Sequence, residues 1–372
     1  MKVKLRDVSN IIMGQSPDSS TYNTEKIGLP FFQGNADFGE LNPIAKTWCS
    51  APIKIAYKNY ILISVRAPIG ALNIAAETCC IGRGLAAFDV NNKMCTQKYL
   101  WYLLKAKKNE LLSKGTGSTF KAISKNILSE MEFNIPPVRE QELCTKVLDV
   151  VFCLIRLKKE QLDKLDLLVK SRFIEMFGDP VTNEKGWVKV RLADKCCIIT
   201  GNTPPRANEK YYGSYIEWIK SDNITSSMYL TKAAEYLSEE GLAVGKKVES
   251  GSVLMTCIAG SLKSIGNVAI ADRPVTFNQQ INAVVTNEQN TLFMYEQFKL
   301  TKEYITCDVN MALKGILSKG QLSEKQFIFP PIELQNQFAD FVAQVDKSKL
   351  AIQQSLDELE TLKKSLMQQY FG

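Results

Sequence analysis

The sequence contains no histidine. This absence removes the usual general base, the Ser-His-Asp triad and every metal site that needs an imidazole. The chain also lacks a Walker A sequence, a G-x-G-x-x-G fingerprint after a strand and an N-P-P-Y/F amino-methyltransferase motif. Carboxylates are plentiful, but no pair has a spacing typical of an acid/base couple. Hydrolytic, metal-dependent and nucleotide-dependent chemistry are therefore disfavoured.

Long apolar runs and paired metal-ligand cysteines are missing as well. No segment approaches the roughly 18 consecutive apolar residues of a membrane span, and the start MKVKLRDVSN has no signal-peptide core. The ten cysteines form no C-x-x-C motif, which favours reduced thiols over disulfides or zinc. We expect a cytoplasmic protein with no membrane attachment, in which Cys79-Cys80 and Cys196-Cys197 are buried small residues.

Positive charge is unevenly distributed along the chain. The net charge is +7, and residues 1–135 carry 17 Lys and Arg against 10 Asp and Glu. The remaining segments are close to neutral. This balance is compatible with a nucleic-acid partner, although charge alone does not establish one.

The most informative feature present is an internal repeat. KVKLRD at residues 2–7 matches KVRLAD at residues 189–194, and GQSP at 14–17 matches GNTP at 201–204, both at an offset of 187. Later landmarks match at offsets of 194 to 196, such as Ile123-Ser124-Lys125 with Leu317-Ser318-Lys319. Sequences between the landmarks diverge, so the repeat predicts one scaffold that carries two different surfaces.

Each half ends in a predicted long helix. The proline pairs at 136–137 and 330–331 mark the two helix starts, and Phe177-Gly178 and Phe371-Gly372 mark the ends. Apolar residues recur at alternating spacings of four and three in both segments, with polar exceptions at corresponding positions. We expect two equal helices that pair as an antiparallel coiled coil. Two separate dimerisation helices are the alternative.

The rest of each half mixes strand and helix patterns, which predicts an α+β fold. Tyr60–Val65 and Ser252–Thr256 have the composition of buried strands, and Leu85–Val90 with Ile281–Val285 form a later matching pair. We place a globular domain at residues 1–135, a first spacer helix at 136–178, a second globular domain at 179–329 and a second spacer helix at 330–372.

Two long polar loops, at residues 14–35 and 201–223, hold the main candidates for DNA contact. Amide, hydroxyl and cationic groups read base edges or hold phosphates. Candidates in the first loop are Gln15, Ser16, Tyr22, Asn23, Gln33 and Asn35; those in the second are Asn202, Thr203, Arg206, Tyr211, Tyr212, Lys220 and Asn223. Solvated loops without a ligand are the alternative for any single residue.

Further candidates lie outside these loops. Arg66 follows a strand, and Arg83 stands between Gly82 and Gly84, with Lys263, Gln279 and Gln280 near the equivalent positions of the second half. Arg83 in place of Gln279 would change base preference on a common scaffold. A structural turn is the alternative. Lys114 and Lys121 flank a Gly- and hydroxyl-rich segment that could contact a DNA backbone but lacks P-loop spacing.

The duplicated layout resembles the specificity subunit of type I restriction–modification systems over essentially the whole chain. The resemblance rests on the P-P-x-x-E-Q-like helix entries at 136–141 and 330–335, the 123–125 and 317–319 landmarks and the Phe-Gly helix ends. The second entry departs from the pattern because Leu334 stands where the first has Glu140, which makes its helix-start cap less secure.

The resemblance implies two pseudo-repeated target-recognition domains, each reading one half of a bipartite double-stranded DNA target, with the antiparallel helices setting the gap. It implies two methyltransferase subunits that use S-adenosylmethionine to methylate adenine, and restriction subunits that use ATP and Mg. The chain itself would bind no cofactor and would not be an enzyme. A coiled-coil adaptor with two peptide-binding domains is the main alternative. A self-sufficient DNA methyltransferase would need a cofactor site that the sequence does not reveal.

Overall fold

The computed structural model describes residues 1–115, 122–311 and 314–372 and divides them into two compact units. The first unit comprises Met1–Lys159 and Gln354–Gly372, and the second comprises Glu160–Gln353. Each unit combines sheets with helices, which confirms the predicted α+β class. Within the described residues, no helix is long and apolar enough to cross a membrane.

The first unit is built on an antiparallel sheet and a second, mixed sheet. The antiparallel sheet has the strand order Ser9–Met13, Leu85–Val90, Ile61–Ser64 and Leu72–Ile74. The mixed sheet has the order Tyr22–Asn23, Trp48–Cys49, Leu29–Phe32, Cys79–Ile81 and Ile55–Ala56. Lys2–Lys4 pairs separately with Glu132–Asn134. The two predicted buried strands of this half are therefore neighbours in one sheet.

The second unit repeats this plan with small differences. Its antiparallel sheet has the order Cys196–Thr200, Ile281–Thr286, Val253–Thr256 and Val268–Ile270. Its mixed sheet has the order Tyr236–Leu237, Tyr212–Ile219, Val275–Phe277 and Lys247–Val248. Two short ladders join Lys189–Arg191 to Gln326–Ile328 and Ile258–Ala259 to Gly315–Ile316. The strands predicted in this half are confirmed.

Each unit also contains several short helices. Those of the first unit are Leu5–Val8, Gln97–Ala106, Lys108–Lys114 and Lys125–Ser129. Those of the second unit are Leu192–Lys195, Glu239–Val244, Thr291–Leu300, Lys302–Thr306 and Lys319–Glu324. Two consecutive helices meet at Lys107 in the first unit and at Thr301 in the second.

The cysteine pairs are buried in one unit and split between two environments in the other. Cys79 and Cys80 are both buried, because their strand is covered on both faces, and burial raises the pKa of Cys79 to about 12 and of Cys80 to about 11. Cys196 is buried, but Cys197 is exposed. The expectation that both pairs are buried is therefore wrong for Cys197. Successive side chains of a strand alternate faces, so only Cys196 points into the core.

The two long helices run over Val138–Phe177 and Ile332–Phe371, 40 residues each. In the first unit, Lys159 pairs with Glu360 at 3.5 Å, and Lys363 lies 5.6 Å from the ring centre of Phe152. In the second unit, Lys349 pairs with Asp166 at 2.5 Å, and Phe338 packs against Phe173 at a ring distance of 5.3 Å. Residue numbers of one helix fall as those of the other rise, so the segments in each unit are antiparallel.

The polar exceptions of the apolar seam hold charged contacts. Lys349 and Lys363 occupy seam positions in the second helix, and their ammonium groups reach Asp166 and Glu360 respectively. Arg172, at a polar seam position of the first helix, lies 5.9 Å from the ring centre of Phe341. Long cationic side chains can cover apolar surface with their stems while the charged end reaches a partner.

A buried glutamine fixes the start of each long helix. The Gln141 side chain accepts from the Thr96 amide at 2.8 Å and donates to the Pro136 carbonyl at 2.8 Å. Gln335 repeats this arrangement, accepting from the Asn290 amide at 3.0 Å and donating to the Pro330 carbonyl at 2.8 Å. The common glutamine ties both helix starts to the domain, whereas Leu334 packs against the core of the second unit.

We expect Gln335→Leu to lower the free energy of unfolding by about 2–4 kcal/mol, because it leaves the Asn290 amide and the Pro330 carbonyl without their partner inside the protein. Chemical denaturation measures the change. Gln337→Leu, at an exposed position two residues further on the same helix, is the matched control and should stay within about 0.5 kcal/mol. Equal losses for the two variants would contradict the anchoring role.

Candidate nucleic-acid interface

Three chain segments meet at one edge of the first unit, where their strands end. The Gln15 amide donates to the Ile81 carbonyl at 3.0 Å, and the Gly84 amide donates to the Gln33 carbonyl at 3.1 Å. The Arg83 amide donates to the Ser16 hydroxyl at 3.3 Å. Gln15, Ser16, Gln33 and Arg83 therefore lie together, and we name them the first edge cluster. The side chains of Gln15, Gln33 and Arg83 are exposed.

Glycines make this close approach possible. A Cβ at Gly14 would lie 2.1 Å from the Gly82 carbonyl oxygen, and one at Gly84 would lie 2.3 Å from the Gln33 carbonyl oxygen. Both distances are far inside van der Waals contact, so a side chain at either position would separate the segments. Gly82 and Gly84, on either side of Arg83, thus allow this turn to lie close to the backbone of Gln33. The side chain of Arg83 is exposed to solvent.

The second unit has an equivalent edge built from different side chains. The Asn202 amide donates to the Phe277 carbonyl at 3.0 Å, and the Asn278 amide donates to the Ile219 carbonyl at 3.0 Å. The Thr203 hydroxyl donates to the Gln279 side chain. Segments 201–203, 220–221 and 278–280 are thereby adjacent. We name Asn202, Thr203, Lys220, Gln279 and Gln280 the second edge cluster.

Hydrogen bonds place Arg83 and Gln279 at equivalent positions. The Val65 amide donates to the Gly84 carbonyl at 2.9 Å, and the Cys257 amide donates to the Gln280 carbonyl at 2.7 Å. In each unit the residue just before that acceptor is the exposed one, Arg83 or Gln279. The same scaffold position thus presents a cation in one unit and a neutral amide in the other. Their effect on base preference remains a prediction.

Both polar loops are folded by the same tyrosine contact. The Tyr22 hydroxyl donates to the Pro17 carbonyl at 2.9 Å, and its ring stacks on Phe31 at 4.7 Å. In the second unit, the Tyr212 hydroxyl donates to the Pro204 carbonyl at 2.6 Å. The prolines belong to the repeated Gly-x-x-Pro landmark, which therefore begins a structured loop in both halves.

Three of the candidate asparagines use their side chains inside the loops. Asn23 bonds both the amide and the carbonyl of Ile27 at 2.9 Å. Asn202 donates to the Val244 carbonyl at 2.8 Å and accepts from the Lys246 amide at 2.9 Å. Asn223 accepts from the Lys220 amide at 3.0 Å and donates to the Lys232 carbonyl at 3.1 Å. These amides shape the surface.

The other candidates are distributed around the edges. Arg66 is exposed directly after Val65, which places it beside the first edge cluster, and half-buried Asn35 begins the turn after Gln33. Tyr211 is half-buried in the turn Glu209–Tyr211, and Gln280 accepts from the Ser221 hydroxyl at 3.3 Å. Lys263 lies on an exposed loop.

Lys114 and Lys121 are not part of either edge cluster. Lys114 ends a short helix and pairs with Glu110 at 2.6 Å. The Lys2 ammonium lowers the pKa of Glu132, with Lys114 a smaller contributor, which places Lys114 near that strand ladder. Lys121 lies outside the described residues. Within the described part of the chain, no group of three or more His, Cys, Asp or Glu side chains could hold a metal ion.

One charged residue at the second edge was missed by the sequence analysis. Glu235 pairs with Arg206 at 2.7 Å and also contacts the Lys220 ammonium. It reaches this position because the Trp218 amide donates to its carbonyl at 3.0 Å, just before the strand Tyr236–Leu237. Glu235 belongs to no local motif, so only the strand pairing reveals its neighbours.

Comparison with known proteins identifies the architecture. The family model described as the type I restriction modification DNA specificity domain matches the chain twice, over residues 1–167 and 184–361. The type I restriction enzyme MjaIX specificity subunit of Methanocaldococcus jannaschii is 23% identical, and the match covers 98% of this chain and 90% of that protein. The putative MjaX specificity subunit of the same organism is 40% identical over 161 residues, which cover 43% of this chain and 38% of that protein.

Solved structures have the same fold over the full chain. The type I restriction–modification system S subunit from M. genitalium matches with a TM-score of 0.63 at 15% identity, covering 100% of this chain and 96% of that one. A second structure, from work on complex assembly and conformational transition of the type I R-M system, matches with a TM-score of 0.61 at 17% identity. The match covers 100% of this chain and 97% of that one. At these identities the likeness establishes the fold.

The internal bonds of Asn223 lead to a prediction about its role. We expect Asn223→Ala to destabilise the second unit by about 1–3 kcal/mol, because the Lys220 amide and the Lys232 carbonyl lose the partner that the buried Asn223 side chain gives them. Chemical denaturation measures this loss. Gln279→Ala, at an exposed position of the same edge, is the control and should change stability by no more than about 0.5 kcal/mol. An unchanged stability for Asn223→Ala would refute the structural role.

Proposed function

This chain belongs to the type I restriction–modification DNA specificity family, and we propose from this membership that each unit reads one half of a bipartite, gapped DNA target. The observation that carries the proposal is the pair of edge clusters. The same three strand ends converge in both units, but they present different side chains: Arg83 and Gln33 in one, Gln279 and Lys220 in the other. One scaffold with two sets of base-reading groups suits a target with two unlike halves.

The exposed groups match the chemistry of base edges. Arginine and lysine donate to guanine O6 and N7, while glutamine and asparagine pair with adenine N6 and N7. The excess of Lys and Arg in residues 1–135 supplies a sequence-independent attraction to phosphates. Loop asparagines with internal hydrogen bonds, such as Asn23, stabilise the loop conformation. Their exposed neighbours make the contacts with DNA.

The long helices are proposed to set the gap between half-sites and to bind methyltransferase subunits. Within each unit their segments pack antiparallel, with the register set by the apolar seams, and this supports a spacer role. The first helix also has an exposed apolar stripe with spacings of four and three residues, formed by Leu143, Val147, Val150, Leu154 and Leu157. A stripe of this kind suits a partner helix.

The catalytic steps are proposed to belong to the partner proteins. Two methyltransferase subunits with S-adenosylmethionine would methylate adenine in each half-site, and restriction subunits with ATP and Mg would cleave unmodified DNA. The chain contributes recognition and positioning. The assembly would act in the cytoplasm, where it meets the DNA. Family membership favours this function over the coiled-coil adaptor with peptide-binding domains.

Detection of N6-methyladenine in the native genome, with and without the gene, tests the function. We expect one gapped, two-part methylation motif to disappear on deletion and to return when the gene is supplied again. Because the partner enzymes depend on this subunit for target choice, other methylation motifs should remain as internal controls. If no gapped motif depends on the gene in cells that express the partner subunits, the proposal fails.

Lengthening both helices tests the spacer role. Inserting seven residues in each, near Lys159 and near Glu360, keeps both apolar seams in register and adds about 10 Å. We expect the gap in the methylated motif to grow by about three base pairs, because DNA rises about 3.4 Å per base pair, with both half-sites unchanged. The same insertion in one helix alone should lose activity because the seams no longer match. An unchanged gap in the doubly lengthened, active variant would exclude the helices as the spacer.

A further inference from the structure

A cluster of three charged residues, Arg206, Lys220 and Glu235, distinguishes the edge of the second unit from that of the first. Nη2 of Arg206 lies 2.7 Å from Oε2 of Glu235, and the Lys220 ammonium contacts the other carboxylate oxygen. The Lys220 hydrogen bond, followed by the bond from Arg206, keeps the pKa of Glu235 below its usual value. Glu235 is therefore ionised at neutral pH, and two cations share one carboxylate.

The guanidinium of Arg206 also lies close to two aromatic rings. Its guanidinium carbon lies 4.5 Å from the ring centre of Tyr212 and 5.0 Å from that of Trp218. Both rings are fixed, since the Tyr212 hydroxyl donates to the Pro204 carbonyl and the Trp218 indole donates to the Asn202 carbonyl at 3.2 Å. A guanidinium that lies close to aromatic rings and pairs with a carboxylate has less rotational freedom than an unpaired one.

The restrained guanidinium retains free donors. It carries five N–H groups, and the pairing with Glu235 engages one of its nitrogens. The side chain of Arg206 is still 55% exposed. A planar group with donors facing solvent matches the two acceptors of guanine in the major groove. Because Glu235 already restrains the Arg206 side chain, that side chain loses less conformational entropy when DNA binds.

The first unit has neutral residues at the equivalent positions. The Phe31 amide donates to the Thr47 carbonyl at 2.9 Å, just as the Trp218 amide donates to the Glu235 carbonyl at 3.0 Å. Thr47 thus stands where the second unit has Glu235, and Gln33 stands where it has Lys220. The cluster is therefore a property of one surface and not of the common scaffold.

We propose that Arg206 reads a guanine in the half-site of the second unit and that Glu235 positions it for this contact. This inference rests on the proposed function and adds to it the base that is read and the roles of Arg206 and Glu235. A contact to phosphate is the competing role for Arg206, and it would contribute affinity without sequence preference.

The test uses the full chain assembled with its methyltransferase subunits and a duplex library with both half-sites randomised. We expect Arg206→Ala to reduce discrimination for guanine at one position by about 10- to 100-fold, with the other half-site unchanged. Arg206→Lys keeps the charge but loses the planar fork, so it should relax the same position. Glu235→Gln should relax that position by a smaller factor, about 3- to 10-fold, because the guanidinium is less restrained.

Arg191→Ala is the matched control. Arg191 is a similarly exposed arginine of the same unit, at 49%, and pairs with Asp194 at 2.9 Å on a different strand ladder. Its loss should leave every base preference unchanged. Thermal unfolding of all variants shows whether an effect comes from misfolding; the conservative Lys and Gln variants answer the question if Arg206→Ala is unstable.

The outcomes separate this inference from the proposed function. If the Arg206 variants bind all sequences more weakly but keep their guanine preference, Arg206 contacts phosphate and the inference is overturned. If Arg206→Lys relaxes the position and Glu235→Gln does not, the positioning role of Glu235 is overturned. If the unchanged chain selects no two-part motif, the proposed function itself fails.

Discussion

The core of each unit is completed by the end of a helix that begins in the other unit. Phe371, the last helical residue of the second long helix, packs against Tyr99 of the first unit at a ring distance of 5.1 Å. Phe177, at the end of the first long helix, packs against Phe293 of the second unit at 5.0 Å. Both phenylalanines are buried, and burial of such a side chain stabilises by about 1.5–3 kcal/mol. Each core therefore includes a phenylalanine from the helix that begins in the other unit.

The repeated landmarks serve this shared framework. The buried glutamines fix the helix starts, the Gly-x-x-Pro loops are closed by tyrosines, and Gly14 and Gly201 allow strand ends to approach closely. A Cβ at Gly201 would lie 2.2 Å from the Asn278 carbonyl oxygen. These positions have strict steric or hydrogen-bonding requirements, which explains why the same residue types occur in both halves. Residues such as Arg83 and Gln279 face solvent and are free of those requirements.

The side chains of the second edge cluster all have partners within the protein. Loop asparagines of both units, Asn23, Asn202 and Asn223, bond backbone groups of their loops, and two cations contact Glu235. Base recognition by such a surface depends on a few side chains held in place by many others. The rigidity of the surroundings therefore matters as much as the identity of the exposed residue, because an unrestrained arginine or glutamine loses more entropy on binding.

The sequence alone determined the duplicated scaffold, the α+β class, the two equal helices and the positions where the halves differ, since glycine, proline and heptad patterns act locally and leave clear periodic signals. It did not reveal which loop amides are consumed internally, that Cys197 is exposed, or that Glu235 joins Arg206 to Lys220. The contacts of Glu235 and the bonds from Asn202 to residues 244 and 246 depend on pairings between segments far apart in the chain, such as the bond from Trp218 to Glu235. Only the tertiary structure brings such segments together and decides which polar groups remain free for a partner.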